Sequence, residues 1–173
     1  QLRLLGLEDS YVRYEGILGD PENAAQRGLN PGEEGAWRSW MGLMSLASKS
    51  PLPVVHLLED DVEITSLIGE FFKWLDLSEV LDDHHLIFTD AYIGPGQVRQ
   101  LFKALREIDD WQIIDEGLIT PCIGSLVASP RSLREVLPFL ENLWMGGGKL
   151  PPIDLALGDL AKRGCFRFAT IAP

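Results

Sequence analysis

A chain of 173 residues, 46% hydrophobic and 24% charged, has the size and composition of one ordinary globular domain with a single core. Its 26 acidic and 15 basic residues leave a net charge of −11, a field that repels nucleic-acid backbones and anionic membranes and argues against either as the main partner. Two cysteines, Cys122 and Cys165, with no C-x-x-C spacing, exclude a disulfide framework, give no zinc signal and fit a reducing, cytoplasmic compartment.

No apolar run approaches the roughly 20 residues that cross a bilayer, so membrane association is expected to be peripheral at most. No signal-peptide pattern is present, and a start at Gln1 predicts a processed or truncated N-terminus. The first strong element is a helix over about Pro31 to Ser48: Asn30 caps it, Pro31 takes the first helical position, an acid stands at the third, and Trp37, Trp40, Met41 and Met44 recur at helical spacing. Pro51 and Pro53 break the pattern. Val54 to Leu58 then reads as a short strand buried on both faces, and it ends in Glu59-Asp60-Asp61. A helix from Ser66 to Leu75, with Leu67, Ile68, Phe71 and Phe72 inward, precedes a second strand, Leu86-Ile87-Phe88, ending at Thr89-Asp90.

After the turn signal Gly94-Pro95-Gly96, the series Val98, Leu101, Phe102, Leu105 and Ile108 predicts another helix. Trp111–Ile114 and Ile123–Ala128 are strand candidates, and Ser129-Pro130 opens a helix that ends before Gly146-Gly147-Gly148. A last helix over Leu155 to Arg163 stops at Gly164, and Phe166–Ile171 is a final strand. Strands alternating with helices predict a single α/β domain over residues 1–173, with a mixed, mainly parallel sheet flanked by helices.

Three adjacent carboxylates repel one another unless a cation or donor groups neutralise them, and hard divalent cations prefer oxygen ligands. In open α/β sheets ligands bind outside the carboxyl ends of strands. Glu59, Asp60 and Asp61 are therefore candidate ligands for Mn2+ or Mg2+.

Gly32-Glu33-Glu34-Gly35-Ala36-Trp37-Arg38-Ser39, a helix, and then Leu58-Glu59-Asp60-Asp61-Val62 resemble, in order and spacing, the core signature of the family 25 glycosyltransferases, the lipooligosaccharide and collagen-type galactosyltransferases. Ser125 to Ser129 followed by a helix is similar to that family's strand-Ser-helix segment, and Pro152-Ile153-Asp154 to its later Pro-hydrophobic-Asp element. Tyr11 to Gly19 looks like the segment that ends its first helix. The resemblance implies a GT-A-like (Rossmann-like) fold that binds a nucleotide sugar, such as a UDP-sugar, with Mn2+ or Mg2+ on Asp61 and on Glu59 or Asp60. It further implies transfer of a hexose to a glycan or lipid-linked glycan acceptor, such as a lipopolysaccharide core, at the inner face of a bacterial membrane.

Two departures accompany it. The chain starts downstream of the strand with which members usually begin, and Ser39 is followed by Trp40 where members usually continue Ser-His.

The chemistry assigns roles within that reading. Sugar transfer needs the departing diphosphate neutralised, which a carboxylate-held metal does as a Lewis acid, and an inverting transfer needs a carboxylate to take the acceptor proton. Asp154 and Asp90 are the candidates for that base. Glu33, Arg38 and Ser39 are candidate donor-binding residues, with Arg38 and Ser39 able to reach phosphates or else to face solvent. Each feature also has a plainer reading: the acid triplet as a solvated helix cap, Asp154 as an N-cap, His56 as a satisfied core histidine, Asp82 to His85 as a polar surface turn, and the tryptophans as core. Two alternatives from other classes stand beside the enzyme. One is a catalytically inactive domain of the same fold that binds a sugar or a protein. The other is a phosphoacceptor receiver domain using the acid pair with Asp90, although the interval of 90 − 60 = 30 residues is short for it.

Overall fold

The computed structural model describes residues 2–64, 66–77, 79–89, 91–92, 112–114, 120–121 and 123–172. Three layers build the domain. Its centre is a five-stranded sheet in the order β1, β6, β2, β7, β4, where β1 is Val55–Leu58, β2 Leu86–Phe88, β4 Gln112–Ile114, β6 Ser125–Ala128 and β7 Phe168–Ala172. A separate two-stranded ribbon joins β3, Ala91–Tyr92, to β5, Thr120–Pro121.

The sheet is mixed, as expected, but among the described residues it is not mainly parallel. β1 and β2 both pair antiparallel with β6, β7 runs parallel to β2, and β4 runs antiparallel to β7. A strand buried on both faces is apolar whichever way it runs, so Ser125–Ala128 carried no signal of its reversed direction. The consequence is geometric: the carboxyl ends of β1, β2 and β7 and the amino end of β6 share one edge of the sheet.

Alternation along the strands divides the core in two. Leu57, Leu86, Phe88, Leu126 and Phe168 turn to one face and pack under the helices α1 (Pro21–Arg27), α2 (Pro31–Ala47), α5 (Pro130–Met145) and α6 (Ile153–Lys162). Ile87, Val127 and Ile171 turn to the other, beneath α3 (Ile68–Leu77) and α4 (Val80–Asp83). Burying one such aliphatic side chain contributes about 1.5–3 kcal/mol, so among the described residues the large cluster under α2 and α5 contributes most of the apolar burial. Among the described residues no helix is long and apolar enough to cross a membrane.

The helices start where their caps dictate. Asn30 and Glu33 form a reciprocal capping box on α2, with Glu33 N–H donating to Asn30 Oδ1 at 2.9 Å and Asn30 N–H to Glu33 Oε2 at 2.8 Å. Ser129 caps α5 through the Ser132 amide. At α6 the N-cap position is Pro152 and Asp154 lies in the first turn, its carboxylate accepting from the Leu155 amide, so the N-cap reading of Asp154 is corrected. Helix α3 begins at Ile68 rather than Ser66. The helix expected over Val98 to Ile108 lies outside the described residues.

Between a 3-10 turn at Glu8–Ser10 and α1, residues 11–20 form neither helix nor strand, so the expectation of a helix end there is not met. This strap runs antiparallel to α2 with Tyr11, Tyr14 and Ile17 turned inward and their neighbours exposed, a spacing of three that neither secondary-structure period matches. It crosses α2 where both backbones are glycine. A Cβ on Gly19 would stand 1.6 Å from the Pro31 carbonyl oxygen, and one on Gly35 2.6 Å from the Ile17 carbonyl oxygen.

Candidate functional site

The Gly-Glu-Glu-Gly helix is first of all the seat of the strap. Glu34 is fully buried and accepts from the Asp20 amide at 2.9 Å and from Asn23 Nδ2 at 2.6 Å, with Arg38 Nη1 3.7 Å from it. Ser39 Oγ accepts from the Ile17 amide at 2.7 Å. A buried carboxylate needs such donors, because desolvation without them costs several kcal/mol. Of the three candidate donor-binding residues, Glu33 therefore caps α2, Arg38 pairs with Glu34, and Ser39 both holds the strap and faces the groove described next. Glu34, which sequence reasoning passed over, is the buried acid of the pair. The signal was available, since Asn30-x-x-Glu33 is a capping-box pattern that leaves Glu34 unexplained.

Along the side of β1 opposite β6 runs a groove of about 1640 Å³, bounded by the N-terminal residues, by α2 and by the start of α3. Among the described residues, β1 has a ladder partner on one side only. The Glu59 amide donates to the Gly124 carbonyl at 2.8 Å, so, by antiparallel alternation, the backbone groups of His56 and Leu58 point away from β6 and towards the groove. Glu59, Asp60 and Asp61 line one end of this groove, at the edge shared by the strand termini.

The three acids differ. Asp60 and Asp61 are exposed, whereas Glu59 is partly buried and its Oε1 accepts a 2.8 Å hydrogen bond from Trp40 Nε1. Trp40 thus fixes one oxygen of Glu59. Among the described residues no group of three His, Cys, Asp or Glu side chains converges as a metal cage. Mg2+-like ions bound with phosphates need only one or two carboxylates, the remaining positions going to phosphate oxygens and water, so exposed oxygen donors at Asp60 and Asp61 fit a metal brought with a diphosphate.

Asp154 is not among the groove-lining residues. Asp90 lies outside the described residues, but Thr89, before it, is tied to β6 by its amide, which donates to the Ser125 carbonyl at 3.1 Å. His56, expected as a satisfied core histidine, has both ring nitrogens bonded: Nδ1 to the Tyr11 hydroxyl at 2.6 Å and Nε2 to Ser125 Oγ at 2.9 Å. Burial lowers its pKa to about 4, so it is neutral at ordinary pH. Burial likewise raises the pKa of Tyr11. The stretch from Asp82 to His85 behaves as the expected polar surface: Arg167 pairs with Asp83 at 3.0 Å, and His85 Nε2 lies 3.3 Å from Glu135.

No family model and no curated protein matches the chain.

Proposed function

We propose that this chain is a metal-assisted hexosyltransferase domain of the GT-A type, similar to the family 25 glycosyltransferases. It would take a hexose such as galactose from a UDP-sugar and pass it to a glycan or lipid-linked glycan acceptor, such as a lipopolysaccharide core, in the cytoplasm at the inner face of the membrane. One observation carries the reading: a row of carboxylates at the carboxyl end of the partly buried strand β1 opens onto a groove large enough for a nucleotide sugar. Asp60 and Asp61, supported by Glu59, would hold Mn2+ or Mg2+, which when bound neutralises the departing diphosphate. The chain's own residues do the rest: Trp40 orients Glu59, and Glu34 and Ser39 hold the strap that walls the groove.

Asp154 and Asp90 remain the candidate bases. The absence of Asp154 from the groove lining favours a second reading, a domain of this ancestry that binds a nucleotide sugar without transferring it. Titration of Mn2+ and UDP into the protein, followed by UDP release from UDP-galactose with a glycan acceptor, separates the two. Metal-dependent binding with release supports the transferase, binding without release supports the binding domain, and no metal-dependent binding sinks both.

A further inference from the structure

Four polar side chains from four separate segments meet on the α3 face of the sheet. Tyr11 belongs to the strap, His56 to β1, Ser125 to β6, and Thr89 follows β2. Tyr11 bonds His56 Nδ1, His56 Nε2 bonds Ser125 Oγ, and Ser125 Oγ bonds Thr89 Oγ1. The strand register permits this row: His56 stands opposite Val127 and so diagonally beside Ser125 on the same face, and Thr89 follows Phe88, which stands opposite Leu126. Among the described residues the rest of the same face is apolar: Ile87, Val127 and Ile171 pack with Phe71 and Leu75, and His56 itself stands edge-on to Phe72 with ring centroids 5.6 Å apart. Polar groups in such surroundings are costly unless paired, and apolar ones would fill the same volume. Their confinement to the end of the sheet that carries Glu59, Asp60 and Asp61 asks for another reason.

We propose that Tyr11, His56, Ser125 and Thr89 form a positioning relay, pivoted on His56, that sets the separation between the carboxylates ending β1 and the residues ending β2. The strands themselves are short, with four residues in β1 and three in β2, so few ladder bonds fix their ends. The relay adds a rigid polar tie across β6 at that end. It is also directional. If the Tyr11 hydroxyl donates to Nδ1, then Nε2–H donates to Ser125 and Ser125 to Thr89; in the reverse order Thr89 donates to Ser125, Ser125 to Nε2, and Nδ1–H to Tyr11. In either order the polarity of the whole row is set by the tautomer of His56.

The inference rests on the transferase reading for its purpose but not for its geometry, and the test keeps them apart. Ser125→Ala cuts the relay in the middle with little change in volume, and Ser125→Thr restores the hydroxyl. A positioning role predicts that Ser125→Ala keeps Mn2+-dependent UDP affinity within about threefold while UDP release from UDP-galactose falls at least about tenfold, with Ser125→Thr recovering most of it. Amide hydrogen exchange at residues 59–61 should also speed up about tenfold in Ser125→Ala and in Tyr11→Phe. Unchanged exchange at 59–61 in both variants overturns the relay, as does release unaffected by Ser125→Ala. Should the wild-type protein bind no UDP, the transferase reading fails, and the exchange measurement alone decides the relay.

Discussion

The indole N–H of Trp40 reaches Glu59 Oε1 at 2.8 Å. Groups that orient a metal ligand typically cost 10- to 100-fold in metal affinity when removed, which would be about 1.4–2.7 kcal/mol if Glu59 supports the proposed metal. Trp40→Phe is therefore expected to weaken Mn2+ binding by about that factor, measured by titration in the presence of UDP. Asp61→Ala, at an exposed position, should abolish metal-dependent UDP binding while changing stability by no more than about 0.5 kcal/mol. Equal affinity in that variant would move the metal elsewhere. His56 makes stability depend on pH. The unfolded chain takes up a proton on it near pH 6.5 and the folded chain only near pH 4, so between those values the unfolded state binds more protons and stability falls as pH drops. The loss amounts to up to about 3 kcal/mol and levels off below pH 4. At the alkaline end Tyr11, whose folded pKa is raised, contributes stability that is lost as pH rises above about 10. Urea titrations from pH 4 to 8 should show the acid slope, and His56→Phe should flatten it.

At the scale of elements, periodicity made the long helices legible. α2 was expected over Pro31 to Ser48 and spans Pro31–Ala47, and the strand at Leu86–Phe88 falls where its apolar run places it. Short elements were not legible: α1 has seven residues with Ala24 as its buried one, too little for a 3.6-residue stripe to register. The reversed direction of β6 was invisible for the reason already given, and the partner of Glu59 was invisible because Trp40 and Glu59 are brought together only by the packing of α2 on β1. The acid row itself was plain in the sequence, as was its place at a strand end, because chemistry written in adjacent residues survives without tertiary knowledge. The crossing of strap and helix supplies a test at this scale. Gly35→Ala puts a methyl 2.6 Å from the Ile17 carbonyl oxygen and 2.9 Å from the Gly19 amide nitrogen, where helix propensity alone would favour alanine. The clash should win, at about 1–3 kcal/mol in urea unfolding. A stabilised Gly35→Ala would mean that the strap does not lie on the helix.

Across the whole molecule, two cores back one sheet, and they differ in what surrounds them. The cluster under α2, α5 and α6 includes Trp37, whose indole N–H is satisfied by the Pro151 carbonyl at 2.9 Å, and Arg27 stacks over the Trp144 ring at 3.9 Å while donating to the Trp144 carbonyl at 2.6 Å. Among the described residues the opposite cluster is smaller, and it carries the polar row of His56 at its margin. Truncations should reflect the difference: Leu133→Ala, in the larger core, is expected to cost about 2–5 kcal/mol by calorimetry or urea.

The strap also dictates a sequence of events in time. Its amides at Ile17 and Asp20 are satisfied by side chains of α2, Ser39 and Glu34, rather than by any ladder of their own. Those acceptors are in place only once α2 has wound and docked, so residues 11–20 must order after the helix and leave before it. In refolding, substitutions there should have φ-values near 0 and act on the unfolding rate, whereas those in α2 slow folding.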